Sequence, residues 1–360
     1  MPSSRVRLGI VGCGAVSMTD YFPALDRPPL RDRVELVAVC DVAIDRARSA
    51  AELYGAREVW SDFDAMVAET SAEALVLLTP IPCHFAQGSA AIRAGKHVYI
   101  QKTMTTTYNE ARELISMAEK QGVILTAAPG QMLDPAHRMA KDLIDKDVVG
   151  KVCFARGMGS HPGHENVNTY GADPTWYYRP GGGPVMDVAV YPLHSLTGLL
   201  GPVERVTAFS GVVLANRIWR GKPIEVQMDD NTLLLLDFGH AVYAEINGTF
   251  CRRASHGTPQ IELYCERGVI YIGGWLQREV PLKFYIEADV LGFKRGWYEP
   301  EGLVPEMKHT VADLVHFADC IRDNLKPVNT AAHAAHVIEI IEKGYLAARS
   351  GRAQMLESKF

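Results

Sequence analysis

The chain has 360 residues, 48% hydrophobic and 22% charged, a soluble globular composition long enough for two cores. A formal net charge of −5, with no Lys/Arg block, argues against a nucleic-acid partner, and no apolar run approaches the ~20 residues of a membrane helix. Seven scattered cysteines without a C-x-x-C pair argue against a disulfide framework or zinc cluster, and the strand pattern beginning near residue 5 leaves no room for a signal peptide, so a cytoplasmic protein with reduced thiols is expected.

Strands are predicted at 5–11, 34–40, 74–79, 97–100 and 123–127, with helices after Ser17 and over 43–55, 86–93 and 108–120. Gly55 and Gly95 close two of these helices. Alternation of continuous apolar strands with helices predicts a doubly wound parallel sheet covered on both faces, a Rossmann domain over 1–127. From 128 the rhythm changes. One helix at 139–147 precedes a series of strands within 151–274, and helices at 309–324 and 331–350 end the chain. Turn signals between the later strands predict an α+β domain over 128–360 with a large open, mostly antiparallel sheet. Four successive leucines at 233–236 want burial on both faces of their strand, so a second subunit is expected on the open face, as a homodimer or homotetramer.

GIVGCGAVS places Gly12 and Gly14 after the first strand, with Ala15 and Val16 opening a helix and Ser17 where Gly or Ala is usual. Gly12 permits the tight turn, Gly14 lets a pyrophosphate approach, and the helix N-terminus presents its N–H groups to that anion. Asp41, at the end of the second strand, suits an adenine-ribose diol and favours NAD over NADP, a preference tempered by Arg46 and Arg48. The alternative is a nucleotide-free doubly wound domain with a glycine turn.

GGGPVMDVAVYPLHSLTG sets Asp187, Tyr191 and His194 at i, i+4 and i+7, one face of a helix. Pro192 within it predicts a kink or a late start. The triplet reads either as catalytic or as a structural network in which Asp187 caps, Tyr191 packs and His194 bonds a backbone group. In the loop at 160–183, Trp176, Tyr178 and Arg179 could stack on and bond a sugar, or anchor the loop. His161 and His164 have H-x-x-H spacing that could ligate a metal with Asp187 or His194, but no helix pattern surrounds them. They are taken as substrate-binding, with no metal. Lys102, in HVYIQKTMT, is either a solvated strand end or a proton-handling group.

Five pieces in order, namely GIVGCGAVS with AVCDVAIDRA, LLTPIPCHFAQGSAAIRAGKHVYIQKT, AEKQGVILTAAPGQMLDP, the GGG-helix segment and CIRDNLKPVNTAAHAAHVIEIIEKGYLAARSGR, resemble the glucose–fructose oxidoreductase and inositol dehydrogenase (Gfo/Idh/MocA) family. The resemblance implies a bound nicotinamide cofactor, NAD here, and metal-independent oxidation or reduction of a sugar or polyol. It implies that Thr79, Pro80, His84, Gln101, Lys102 and Gln131 lie at the cofactor, with Lys102 matching the lysine of the family's Glu-Lys-Pro motif. Gln101 and Thr103 replace that Glu and Pro, Ile81 and Gln131 replace Asn, and loss of the Glu anion predicts a lysine that gives up its proton more readily. In the family's Asp-x-Gly-x-His-x-x-Asp motif, Asp187 matches the first Asp, Tyr191 the His and His194 the last Asp. Tyr191 is then the base, assisted by Lys102, with His194 the competitor, and Asp187 orients one of the two or bonds a substrate hydroxyl. The alternatives are glycoside cleavage with an internally recycled cofactor, or a non-catalytic nucleotide sensor.

Overall fold

The computed structural model describes residues 5–167, 173–253, 258–274, 279–305 and 307–360. These residues form two compact units, one from 5–130 and 307–338, the other from 131–167, 173–305 and 339–360.

The first unit is a six-stranded parallel sheet of β1 (Val6–Val11), β2 (Val34–Cys40), β3 (Glu58–Trp60), β4 (Ala74–Leu77), β5 (His97–Ile100) and β6 (Leu125–Ala127), in the order β3-β2-β1-β4-β5-β6. This doubly wound order reverses between β1 and β4, so the carboxyl ends of those strands frame the crevice in which such sheets bind ligands. The central strands are apolar on both faces and buried: Leu8, Ile10, Leu75 and Val76 are all 0–1% exposed. Local chemistry fixes the helix ends. Gly55 (φ 78°) closes Ile44–Tyr54, and Thr107 with Glu110 forms a reciprocal capping box at the start of Tyr108–Gln121. β3 and the helix Phe63–Glu69 escape a periodicity reading because both are short and only partly buried. His309–Asp323, late in the chain, packs in this unit, where Leu314, Phe317 and Ala318 share a core with Tyr99 and Tyr21.

The second unit carries a nine-stranded sheet. With β7 (Val152–Ser160), β8 (Arg205–Gly211), β9 (Arg217–Trp219), β10 (Lys222–Ile224), β11 (Asn231–Asp237), β12 (Tyr243–Thr249), β13 (Ile261–Cys265), β14 (Gly268–Ile272), β15 (Leu282–Ile286), β16 (Gly296–Tyr298) and β17 (Gln354–Met355), its order is β16-β15-β14-β13-β7-β12-β11-β8-β17. Every pairing is antiparallel except β7 with β12. β9 and β10 form a separate hairpin. In β11, Leu234 and Leu236 are 1% exposed while Leu235 is 41% exposed. The leucine run is thus covered on one side and open on the other.

Two prolines leave the same mark. A π-turn over Ser17–Tyr21 precedes Pro23, and another over Val185–Ala189 precedes Pro192 at the start of Val190–Leu200. Proline cannot donate to the carbonyl four residues back, and a wider turn just before it absorbs the missing bond.

Candidate functional site

In the first unit the glycine turn follows β1. Gly12 has φ +95°, and a Cβ there would lie 2.9 Å from the Leu78 carbonyl at the end of β4, so only glycine fits. Ser17 is buried and its hydroxyl donates to the Gly12 carbonyl; the serine secures the turn. A Cβ on Gly14 would meet open space, and Ala15 and Val16 begin the helix, where N–H groups have no preceding turn to bond. This cradle suits a pyrophosphate. The Asp41 carboxylate takes the N–H of Cys13 and of Ala43, both at 2.8 Å. Asp41 is 7% exposed, so besides any ribose contact it ties the glycine turn to the end of β2. Arg46 is exposed nearby on the helix that follows.

Beyond β4, the Thr79 hydroxyl donates to Gln87 Oε1, and exposed Pro80 precedes the helix Ile81–Arg93. His84, 0% exposed, bridges two loops: Nε2 lies 2.8 Å from the Thr79 carbonyl and Nδ1 3.0 Å from the Thr103 carbonyl. Burial pushes its pKa down, against the two carbonyls. The neutral ring has one N–H, so His84 sits between the β4 and β5 ends and donates to one of these two carbonyls. Gln101 and Lys102 are half-buried, and Gln101 Oε1 accepts the Lys102 N–H at 2.6 Å.

In the second unit, β7 delivers His161 and the helix begun by the triple glycine delivers Asp187. Their approach is set by Gly159: a Cβ there would lie 2.3 Å from the Val188 carbonyl oxygen and 2.5 Å from the Ala189 backbone, so the helix rests directly on the strand. His164 Nε2 lies 2.6 Å from Asp187 Oδ2, and the His164 ring stacks on Tyr177 with centroids 3.4 Å apart. His161 stacks on Phe250 at 4.7 Å. Its Nδ1 accepts the Gly163 N–H at 3.0 Å, so the proton of the neutral ring sits on Nε2, buried and 3.6 Å from Asp187 Oδ2. The ligand atoms of His161, His164 and Asp187 lie within 4.8 Å of one another, a spacing that a metal would accept. A metal on His161 Nε2, however, needs the proton on Nδ1, where the Gly163 N–H stands. The cluster is therefore a carboxylate facing two imidazole donors.

The remaining expected residues divide. His194 is buried, with Nδ1 2.8 Å from the Val190 carbonyl one turn back. Tyr191 is half-buried one turn from Asp187. Gln131 donates to Ser195 Oγ at 3.2 Å, beside His137, whose Nε2 lies 2.8 Å from the same oxygen. Tyr178 corrects expectation: it is 0% exposed, its hydroxyl donates to Glu165, and it anchors the loop instead of facing a ligand. Trp176 (46% exposed) and Arg179 lie at the surface. Sequence reasoning missed the buried network behind His164, in which Arg217 pairs with Glu165 at 2.7 Å and Asp230 at 2.9 Å and lies over the Tyr178 ring. Burial would raise the Asp230 pKa, but the N–H groups of Val213 and Leu214 together with Arg217 hold it below the ordinary value. These partners are 52 and 13 residues from Arg217, with no motif spacing to join them.

One unit of the chain is a doubly wound sheet with a glycine cradle and the other an open sheet carrying a His/His/Asp cluster. The chain belongs to the Gfo/Idh/MocA oxidoreductase family: residues 6–128 match its NAD-binding Rossmann fold and residues 137–271 its C-terminal domain. Among curated relatives, it is 29% identical over 200 residues to dTDP-3,4-didehydro-2,6-dideoxy-alpha-D-glucose 3-reductase of Actinomadura kijaniata, a match covering 55% of this chain and 57% of that protein. It is 24% identical to scyllo-inositol 2-dehydrogenase (NAD(+)) of Bacillus subtilis over 99% of this chain and 97% of that one. Levoglucosan dehydrogenase, solved in complex with NADH and levoglucosan, has the same fold, with a TM-score of 0.83 at 18% identity over 99% of this chain and 100% of that one.

Proposed function

We propose that the protein catalyses NAD-dependent hydride transfer at a CH–OH group of a sugar, polyol or related substrate. The observation that carries this reading is the buried 2.6 Å His164–Asp187 pair in a chain whose Rossmann unit bears the Gly12–Gly14 cradle. NAD, when bound, supplies the hydride acceptor; the chain must bind the substrate and manage the hydroxyl proton. In the open-sheet unit Tyr191 takes that proton and Asp187 orients the neighbouring donors, and in the Rossmann unit Lys102 handles charge at the cofactor. His161, Trp176 and Arg179 are the groups offered to substrate hydroxyls. A second assignment of the base is His164, favoured by its short bond to Asp187, which fixes the ring's tautomer and stabilises its charged form; His194, tied to its own helix by Nδ1, ranks after it.

The test is NADH absorbance with a panel that includes scyllo-inositol, levoglucosan and simple aldosides. Reduction of NAD by one of them supports the dehydrogenase. Turnover without net NADH change would indicate a glycoside-cleaving enzyme that recycles its cofactor, and silence across the panel a nucleotide sensor. Among variants, Lys102→Ala with unchanged catalysis would remove the lysine from the mechanism, and Tyr191→Phe against His164→Gln separates the two bases.

A second copy of the chain covers the open sheet face in this reading. Register places Phe209 (77% exposed), Leu235 (41%), Tyr243 (49%) and Trp297 (51%) on one side of the sheet, which is costly to leave in water. A monomeric mass in solution would contradict it. A cytoplasmic setting is supported by seven free cysteines; among the described residues no helix is long and apolar enough to cross a membrane.

A further inference from the structure

The first unit holds a chain of hydrogen bonds that the reaction as proposed does not use. Asp313, on His309–Asp323, is 0% exposed, and its carboxylate accepts the Gly130 N–H at 3.0 Å and the Tyr99 hydroxyl at 3.2 Å. Tyr99, 0% exposed, lies 3.0 Å from the Tyr21 hydroxyl, itself on a side chain 1% exposed. Gln101 Nε2 donates to Tyr21 at 2.9 Å, and Gln101 Oε1 accepts the Lys102 N–H at 2.6 Å.

Proton counting fixes every direction. With Asp313 ionised, its state at pH 8, Tyr99 gives its one hydroxyl proton to the carboxylate, so the proton between the tyrosines belongs to Tyr21. Tyr21 must then accept at its oxygen, which requires the NH2 end of Gln101. The oxygen end of Gln101 is left for the Lys102 N–H. Each link is set by the one before it, and the first is set by the buried carboxylate.

We propose that Asp313, acting through Tyr99, Tyr21 and Gln101, is a positioning residue for Lys102: the buried carboxylate polarises the chain in the one sense that presents an acceptor to the Lys102 N–H. The chain has room for one negative charge, and in this protein it sits at the Asp313 end, with a neutral amide beside Lys102. The proposal rests on the reading that Lys102 lies at the cofactor, at the carboxyl end of β5.

Substitutions at the two ends have opposite logic. In Asp313→Asn an NH2 group replaces the acceptor facing Tyr99, and every proton reverses. Gln101 must then turn its oxygen to Tyr21 and its NH2 to the Lys102 N–H, which sets donor against donor. Gln101→Glu alone places a second acid on a chain with room for one. The double variant accepts from both Tyr21 and Lys102 at position 101 and donates to Tyr99 at position 313, so all bonds return with the charge moved to the other end.

The four full-length proteins are compared at pH 8 by thermal melting and by fluorescence titration with NADH. Asp313→Asn is expected to weaken NADH binding roughly five- to a hundredfold, the range for one unsatisfied buried polar group, while its melting temperature at pH 8 does not fall, because losing the buried charge offsets the mismatched donors. Gln101→Glu is expected to lower the melting temperature, and the double variant to recover both properties, with NADH binding within threefold of wild type. The proposal is overturned if Asp313→Asn binds NADH as wild type does, or if the double variant combines the two defects additively. Should wild-type protein bind no NADH, the reading of the site fails separately; the melting cycle, which needs no cofactor, then decides on the chain, additive effects overturning it.

Discussion

Asp187 and His164, 23 residues apart in sequence, are joined by a 2.6 Å hydrogen bond from the imidazole Nε2 to a carboxylate oxygen that is almost fully withdrawn from water. Low local dielectric strengthens such a charge-assisted bond and makes its loss expensive. Replacing Asp187 by Asn is therefore expected to lower kcat by about tenfold or more through lost orientation of its neighbours, whereas His164→Gln reaches about 10²- to 10⁴-fold, the usual weight of a positioned acid–base group, only if His164 and not Tyr191 is the base. NADH affinity, set by the Rossmann unit, should stay within about threefold. Parallel kinetics and fluorescence titrations check this; loss of NADH binding in either variant would point to a folding defect instead.

Gly159 lets the helix of Asp187 lie on β7. A methyl group at 159 would collide with the Val188 carbonyl and the Ala189 backbone, and backbone cannot rotate aside as a side chain can. Gly159→Ala is expected to cost about 1–3 kcal/mol or more from overpacking and to depress activity further by displacing Asp187 from His164. Urea unfolding and kinetics on the same preparation measure both.

Arg217 is the cation between Glu165 and Asp230, with side chains 2%, 6% and 0% exposed respectively. Arg217→Ala leaves two buried carboxylates without their charge partner and should cost about 3–5 kcal/mol. Since Glu165 adjoins His164, activity should fall as well. A melting temperature equal to wild type would show that this network does not hold the loop.

Asp313 gives a pH signature. Burial pushes its pKa from 3.8 up to about 7, opposed by the Tyr99 and Gly130 bonds; the titratable groups in its hydrogen-bond chain are Tyr99 and, next, Tyr21. The folded chain then binds this proton more tightly than the unfolded one, so the carboxyl's contribution is fullest below about pH 4 and is lost as pH rises toward 7. Over that window the loss amounts to at most about 4 kcal/mol. Asp313→Asn removes the titration, and its stability relative to wild type is expected to improve from pH 5 to about pH 7 and to level off above it. A difference independent of pH would show that Asp313 does not titrate in this range.

Much of the architecture is legible in the residues because it is encoded locally. β2 and the final helix Ala331–Ser350 occupy the predicted ranges, since apolar runs, helical periodicity and terminal glycines act over one or two turns. The glycine cradle is equally local, because Gly12 is required by the backbone that it occupies. Short elements such as β3, and the hairpin of β9 and β10, have too few residues to establish a period.

A Rossmann unit with its phosphate turn, an open-sheet unit, and the acidic, tyrosyl and histidyl residues available for proton chemistry are all legible in the residues alone. Their partners were set by the packed fold. It drew His164 to Asp187, turned His194 onto its own helix, buried Tyr178 against Arg217, and connected Asp313 to Gln101 across more than two hundred positions. The reason is physical: a turn or strand depends on neighbours in the chain, whereas a buried hydrogen bond depends on which elements the packed core brings together, and no spacing in the sequence encodes that.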